Sequence, residues 1–141
     1  PKAIWVNSIS ISDESVNFLQ IWIIPSQENV IPRYDQKIFD RQESIDNLQL
    51  LVSPDGTNSS LWIYQDAYIS RIKIEDIDEL DYNRFNEQNG ILTFLLEGNA
   101  AINGSMIRKR DTVLFSSNEK VKITSLPYGS DILFIEIPVS A

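Results

Sequence analysis

The residues best equipped for chemistry are carboxylates. Glu75-Asp76-Ile77-Asp78-Glu79-Leu80-Asp81 puts five acids into seven positions. A calcium loop uses acids at this density, but its spaced Asp ladder with central Gly and distal Glu is missing. Like charges packed this closely belong on a solvated loop. Asp13-Glu14 reads as a turn, because paired-carboxylate catalysis needs two acids held apart across a cleft, which adjacency does not supply. The chain has 141 residues with no Cys and no His. That excludes thiol nucleophiles, disulfides, zinc fingers, imidazole bases, the Ser-His-Asp triad and imidazole metal ligands. Any metal would need oxygen ligands, which suit Ca²⁺ or Mg²⁺. The five glycines form neither G-x-G-x-x-G nor a Walker loop. These residues name no reaction and assign no catalytic, cofactor-binding or metal-binding residue, and no cofactor is expected.

Aromatic and basic residues narrow the partners. Trp22 and Trp62 lie in strongly apolar stretches, where aromatics fill cores, so both are expected inside. Arg33 beside Tyr34, after Pro32, is suited to clamping a carboxylate, to packing over a partner domain or to a structural ion pair. The formal charge of −8 disfavours phosphate backbones and anionic lipid. Arg108-Lys109-Arg110 has no interleaved aromatics and reads as a solvated hairpin turn. No apolar run approaches the roughly 18 residues that span a bilayer, and Pro1-Lys2-Ala3-Ile4-Trp5 lacks signal-peptide architecture. The expectation is a soluble, cytoplasmic protein that binds neither nucleic acid nor membrane. Absence of Cys fits a reducing compartment.

Short apolar stretches must position these groups. Gln20 to Ile24 ends at Pro25, and Leu48 to Val52 ends at Ser53-Pro54-Asp55-Gly56, a strong turn. From Leu61 to Ile74 the residues alternate: Trp62, Tyr64, Asp66 and Tyr68 share one face, while Leu61, Ile63, Gln65, Ala67 and Ile69 share the other. Ile91 to Leu96 reads as an inner strand. Gly98-Asn99 marks a bend and Asn103-Gly104 a hairpin. Val113-Leu114-Phe115, Val121-Lys122-Ile123 and Ile132 to Ile137 complete the series. Helical signal is confined to short turns at Ser44–Leu48 and Glu75–Leu80. The pattern predicts an all-β barrel or sandwich with at most one or two short helical turns.

From Leu19 onward the sequence resembles the C-terminal half of the pirin-like proteins, which are built from two cupin β-barrels in tandem. The matching pieces are Leu19-Gln20-Ile21-Trp22-Ile23-Ile24-Pro25 and Pro32-Arg33-Tyr34-Asp35-Gln36-Lys37-Ile38-Phe39. They continue through Leu51-Val52-Ser53-Pro54-Asp55-Gly56, Gln65-Asp66-Ala67 and the Gly98, Ile102-Asn103-Gly104, Asp111 hairpin. Pro-Arg-Tyr-x-Gln-x-x-Phe is the most specific. The resemblance implies a jelly-roll-like cupin domain over residues 19–141, with residues 1–18 the tail of a first cupin or N-terminal strands. In the family, three His and one Glu of the N-terminal cupin hold a metal, usually iron, and some bacterial members are quercetin 2,3-dioxygenases. Here Ser8-Ile9-Ser10-Ile11-Ser12-Asp13-Glu14 stands where that metal motif ends, and only Glu14 compares with a ligand. Arg110 to Glu119, where generic cupins place their last His, keeps the turn-shaping Asp111 but has no imidazole.

The expected role is therefore a pirin-like C-terminal cupin without a metal site, serving as a structural or protein-interaction module. Its partner would be a second copy in a homodimer or a missing N-terminal cupin. Two other readings predict different behaviour. One is a quercetinase-type dioxygenase, or part of one, with Glu14 and oxygen ligands on a metal; the other is a metal-free barrel holding a small aromatic ligand. The purified chain should carry less than about a tenth of an equivalent of iron, nickel or copper, given the ligand preferences of those ions. Stoichiometric metal by elemental mass spectrometry would restore the dioxygenase reading for this chain.

Overall fold

Two long strands organise the chain in the computed structural model, which describes residues 18–139. Asp13-Glu14 and the expected first-cupin tail up to Asn17 lie outside the described residues. Strand β1 is Gln49–Ser53, β2 Leu61–Trp62, β3 Tyr68–Ile74 and β4 Glu79–Tyr82. Strand β5 is Asn89–Ile102, β6 Ser105–Arg108, β7 Thr112–Phe115 and β8 Val121–Pro138. The strands β5 and β8 pair antiparallel from Asn89 opposite Pro138 to Ile102 opposite Ile123. Halfway along, the register slips at Leu96 and again at Asn99, so the ladder bends.

The bend divides one eight-stranded sheet into two faces. On one side of it the order is β2-β1-β3-β8-β5-β7, and on the other β4-β8-β5-β6. Side chains alternate along each strand, so every second residue enters the space between the faces. Ile72 and Ile74 enter from β3, Ile91 and Leu95 from β5, and Val121, Ile123, Ile132 and Phe134 from β8. Phe134 stacks on Tyr82 with ring centroids 4.5 Å apart. The result is the expected all-β, jelly-roll-like cupin architecture.

Glycine is required at the bend. At Gly98 φ is +81°, and an added Cβ would sit 2.2 Å from the Gly129 carbonyl oxygen. Gly129 also has positive φ, and its Cβ would meet the Ile74 carbonyl at 2.6 Å. Backbone therefore approaches backbone where the strands change face, with no room for a side chain.

Several expectations need correction. Val121–Ile123 and Ile132–Ile137 are one bent strand, because Tyr128 and Gly129 turn the chain at positive φ without breaking the ladder. The alternation from Leu61 to Ile74 covers two strands that β1 separates, pairing parallel to β2 and antiparallel to β3. Glu75–Leu80 forms no helical turn; the Asp46 carboxylate accepts the Glu75 and Asp76 backbone N–H groups at 2.8 and 3.0 Å, and Glu79 starts β4. These bonds hold the Asp46 carboxyl below its usual range. The helical turn near Ser44 spans Arg41–Ser44 and is a 3₁₀ turn capped by the Asp40 side chain. Another covers Thr57–Ser59. Gln20–Ile24 joins neither part of the sheet.

The turns behave as read. Asn103 and Gly104 both adopt positive φ, as a two-residue hairpin requires. Arg108–Arg110 is the β6–β7 turn, closed by Asp111 accepting the Arg108 N–H at 2.8 Å. The contrast between two glycines tests the bend. Gly98→Ala should cost about 3 kcal/mol or more in urea denaturation, since the carbonyl cannot yield. Gly104→Ala, with no atom within 4 Å of its Cβ, should cost about 1 kcal/mol, the left-handed strain alone. Equal losses would remove the close approach as the reason for glycine.

Candidate functional site

Three places bring polar or unusual chemistry together: an arm along one edge, a carboxylate inside the barrel, and a depression at the bend. The arm starts from a local turn. Gly56 takes φ +75°, Ser53 Oγ accepts its N–H at 2.8 Å, and Asp55 accepts the Thr57 N–H at 3.0 Å. These bonds hold the Asp55 carboxyl below its usual range. The turn brings β2 alongside β1 and presents Trp62 at the sheet edge.

Arg33 seizes that edge. Its guanidinium carbon lies 3.9 Å from the Trp62 ring centroid, it donates to the Trp62 carbonyl at 2.5 Å, and it pairs with Asp35 at 2.9 Å. Of the three uses read for Arg33 and Tyr34, an ion pair with stacking is what forms. Further fasteners are Ser26 N–H to Tyr64 O at 2.7 Å, Gln65 Nε2 to Ile24 O at 2.8 Å, and Lys37 to Ser59 O. Trp62 is half-buried beneath Arg33 and packs edge-on against Tyr64, so the expected core position is replaced by an edge clamp. Trp22 is 62 % exposed, which overturns its expected burial.

Polar contacts fasten the arm while its apolar side chains face water. Ile24 is 83 %, Tyr34 75 % and Ile38 91 % exposed, with Phe18, Leu19, Ile21 and Ile31 also in solvent. Stretches of this kind mark surfaces that something else covers.

Inside the barrel stands Glu136, fully buried. It shares the inward-facing parity of Ile132 and Phe134. Its Oε1 accepts the Asn86 N–H at 2.7 Å and Asn89 Nδ2 at 3.4 Å; its Oε2 accepts the Phe85 N–H at 3.0 Å and Tyr82 Oη at 3.2 Å. Asn86 Nδ2 also donates to Asp66 at 2.5 Å. Burial, with the Glu136 charge beside it, pushes the Tyr82 phenol far upward. The carboxylate thus staples the loop after β4 over one end of the barrel. Sequence reasoning missed Glu136, although a single acid at an inward position of an apolar strand was the available signal.

The depression at the bend encloses about 440 Å³ beside Lys73, Glu75, Glu97, Tyr128 and Asp131. Each acid there has a cation: Glu75 pairs with Lys73, Glu97 with Lys109 at 2.7 Å, and Asp131 with Arg71. Of the acid run Glu75–Asp81, Glu75, Asp76, Asp78, Glu79 and Asp81 are all exposed on their loop and on β4. Among the described residues, no three His, Cys, Asp or Glu side chains gather as a metal site would require.

The stretch where cupins carry their last imidazole is equally committed. Asp111 is spent on the β6–β7 turn, and Glu119 accepts the Ser116 N–H and hydroxyl at 2.8 and 2.6 Å. Those bonds hold the Glu119 carboxyl below its usual range. Both carboxylates of that stretch are thus taken up by turns.

Comparison with known proteins places this geometry. Residues 50–137 match the family described as the quercetinase C-terminal cupin domain. The quercetin 2,3-dioxygenase of Escherichia coli K12 is 28 % identical over 127 residues, covering 90 % of this chain and 53 % of that protein. The chain therefore spans about half the length of the curated relatives it matches. The crystal structure of YhhW from Escherichia coli superposes with a TM-score of 0.73 at 25 % identity, over 85 % of this chain and 50 % of that one. A cupin protein from Bacteroides fragilis shares the fold at TM-score 0.56 and 16 % identity, over 79 % of this chain and 89 % of that one.

The buried staple makes a quantitative prediction. Glu136→Ala should lower stability by about 3–4 kcal/mol, since two backbone N–H groups lose their acceptor and a cavity opens. Tyr82→Phe should cost about 1 kcal/mol, the value of one hydrogen bond. Amide exchange at Phe85 and Asn86 should accelerate in Glu136→Ala. Unchanged exchange at those two amides would mean that the loop is held by something else.

Proposed function

This chain belongs to the quercetinase C-terminal cupin domain family, and on that premise we propose that it is a structural and interaction module without a metal site of its own. Its partner in this reading is a second cupin domain. The observation that carries the proposal is the arm: ordered, fastened by polar bonds, yet turning Trp22, Ile24, Tyr34 and Ile38 to water. Phe18 to Ile24 contains no charged residue in a chain of formal charge −8. Aromatic and aliphatic anchors without charge are what interface centres are made of. Covering one such side chain contributes about 1.5–3 kcal/mol. The barrel closes its own core without the arm, so the arm's apolar surface is available for association.

A second reading rests on the relative's name. Similarity to the Escherichia coli quercetin 2,3-dioxygenase over 90 % of the chain supports a place within an enzyme of that kind. Metal and turnover would then come from the partner domain, with this barrel supporting it.

Both readings separate the arm from the barrel's stability. The triple variant Trp22→Gln, Ile24→Gln, Ile38→Gln should keep the urea midpoint of the parent to within about 0.5 kcal/mol, as expected of surface changes. It should also bind a hydrophobic dye several-fold less. A loss above about 2 kcal/mol would make the arm part of the barrel's core and end the interaction reading. The chain alone should not turn over quercetin when supplied with iron, nickel or copper; turnover by the chain alone would place the catalytic site here.

A further inference from the structure

We propose that Asn103-Gly104 is a site of self-modification, where the Gly104 backbone nitrogen displaces ammonia from the Asn103 side chain. The product unfastens the β5–β6 hairpin from the start of β8. Such chemistry needs an Asn followed by a residue without a side chain, an open approach, and an amide free to rotate. Two Asn-Gly dipeptides occur in the chain, Asn89-Gly90 and Asn103-Gly104, and the fold places them in opposite surroundings.

Asn103-Gly104 is the exposed tip of the β5–β6 hairpin, with φ +47° and +79°. No heavy atom lies within 4 Å of the place a Gly104 Cβ would occupy, so nothing crowds the glycine. What holds the reaction back is the hydrogen bonding of the side chain. Asn103 Nδ2 donates to the Lys120 carbonyl at 2.7 Å, and Asn103 Oδ1 accepts the Lys122 N–H at 2.8 Å. Both ends of the amide are therefore committed to the start of β8. Its carbon cannot turn onto the Gly104 nitrogen until those two bonds open, and an exposed hairpin tip opens far more readily than a core strand. Asn89-Gly90 has no such freedom. Asn89 is 1 % exposed, and its Nδ2 donates to Asp66 O at 3.2 Å and to Glu136 at 3.4 Å. Gly90 lies in the ladder opposite Ile137, and a Cβ there would stand 2.6 Å from Val139 Cγ1 and 3.1 Å from Phe115 O. That dipeptide can react only when the barrel itself unfolds.

The step needs only the chain and water. The Gly104 nitrogen gives its proton to solvent and bonds to Asn103 Cγ; the Cγ–Nδ2 bond breaks and Nδ2 leaves as ammonia. Water then opens the cyclic imide. Cleavage at Cγ leaves an aspartate, whereas cleavage at the backbone carbonyl leaves an isoaspartate, with one extra carbon in the main chain. Either product undoes the fastening. Aspartate sets an oxygen against the Lys120 carbonyl where the Nδ2 donor stood, so a hydrogen bond becomes a repulsion. Isoaspartate lengthens a two-residue turn whose geometry depends on positive φ at both positions. The formal charge of −8 becomes more negative by one. Val121 and Ile123, both in the core, adjoin the released carbonyl and N–H, so the change is felt where β8 begins.

Incubation of the purified chain at mildly alkaline pH, followed by peptide mass spectrometry, tests this. In the folded chain, deamidation should accumulate at Asn103 at least about tenfold faster than at Asn89, because local opening outpaces global unfolding. In concentrated urea the two sites should react within about threefold of each other, since the fold no longer separates them. Gly104→Ala, which crowds the attacking nitrogen, should suppress the reaction at Asn103. The modified fraction, separated by anion exchange on its added charge, should exchange the Lys122 amide at least about tenfold faster, with Ile72 and Ile132 amides unchanged. Equal rates at the two sites in the folded chain, or no reaction at Asn103 where urea exposes both, would overturn the site. An undiminished rate in Gly104→Ala would remove the Gly104 nitrogen as the nucleophile. Unaltered Lys122 exchange in the modified fraction would overturn the unfastening.

Discussion

The pairing of β5 with β8 is the constraint on which the other elements depend. These strands contribute to both faces of the sheet, and each remaining strand except β1 and β2 pairs with one of them. Their ladder must bend to put Ile102 and Ile123 opposite the side from which Ile72 and Ile91 enter. The bend works because Gly98 and Gly129 allow backbone atoms to come closer than any Cβ tolerates. Carrying this geometry, β8 places Phe134 against Tyr82 and Glu136 under the loop that follows β4. Core and staple thus follow from one bent ladder.

Glu136 shows what kind of polar group this barrel tolerates. A buried carboxylate without a cation is costly unless its lone pairs are occupied. Two backbone N–H groups, a phenol and an amide occupy them here. All four donors come from residues 82–89, so the charge is matched to one loop and has no spare capacity for a ligand. The acids at Asp111, Glu119 and Asp46 are used in the same way, each accepting backbone N–H groups of a neighbouring turn. Carboxylates in this domain shape loops, and that is a structural use of the residue type that first invited a catalytic reading.

Turns were the most legible part of the sequence. Pro54-Asp55-Gly56 and Asn103-Gly104 act through φ preferences that belong to the residues themselves, so no tertiary information is needed. Strand identity was legible and strand extent was not. Ser125-Leu126-Pro127-Tyr128-Gly129-Ser130 has turn composition, yet the ladder continues on both sides of it, because a bulge and a chain reversal use the same residues. Glu136 escaped notice because a lone acid in an apolar strand fits an outward position as easily as an inward one. Only the parity of Ile132 and Phe134, both buried, distinguishes them.

Trp22 and Trp62 differ in what covers them. Both were expected in the core on composition, since an apolar strand normally buries its aromatics. Hydrophobic patterning reports that a face will be covered, and it is silent about which chain or domain covers it. For Trp62 the cover is Arg33, a cation from the arm lying over the ring. For Trp22 no described residue provides it, though the sequence around it has the character of a buried strand. The expectation of burial and the observation of exposure are compatible if the covering face lies on another domain.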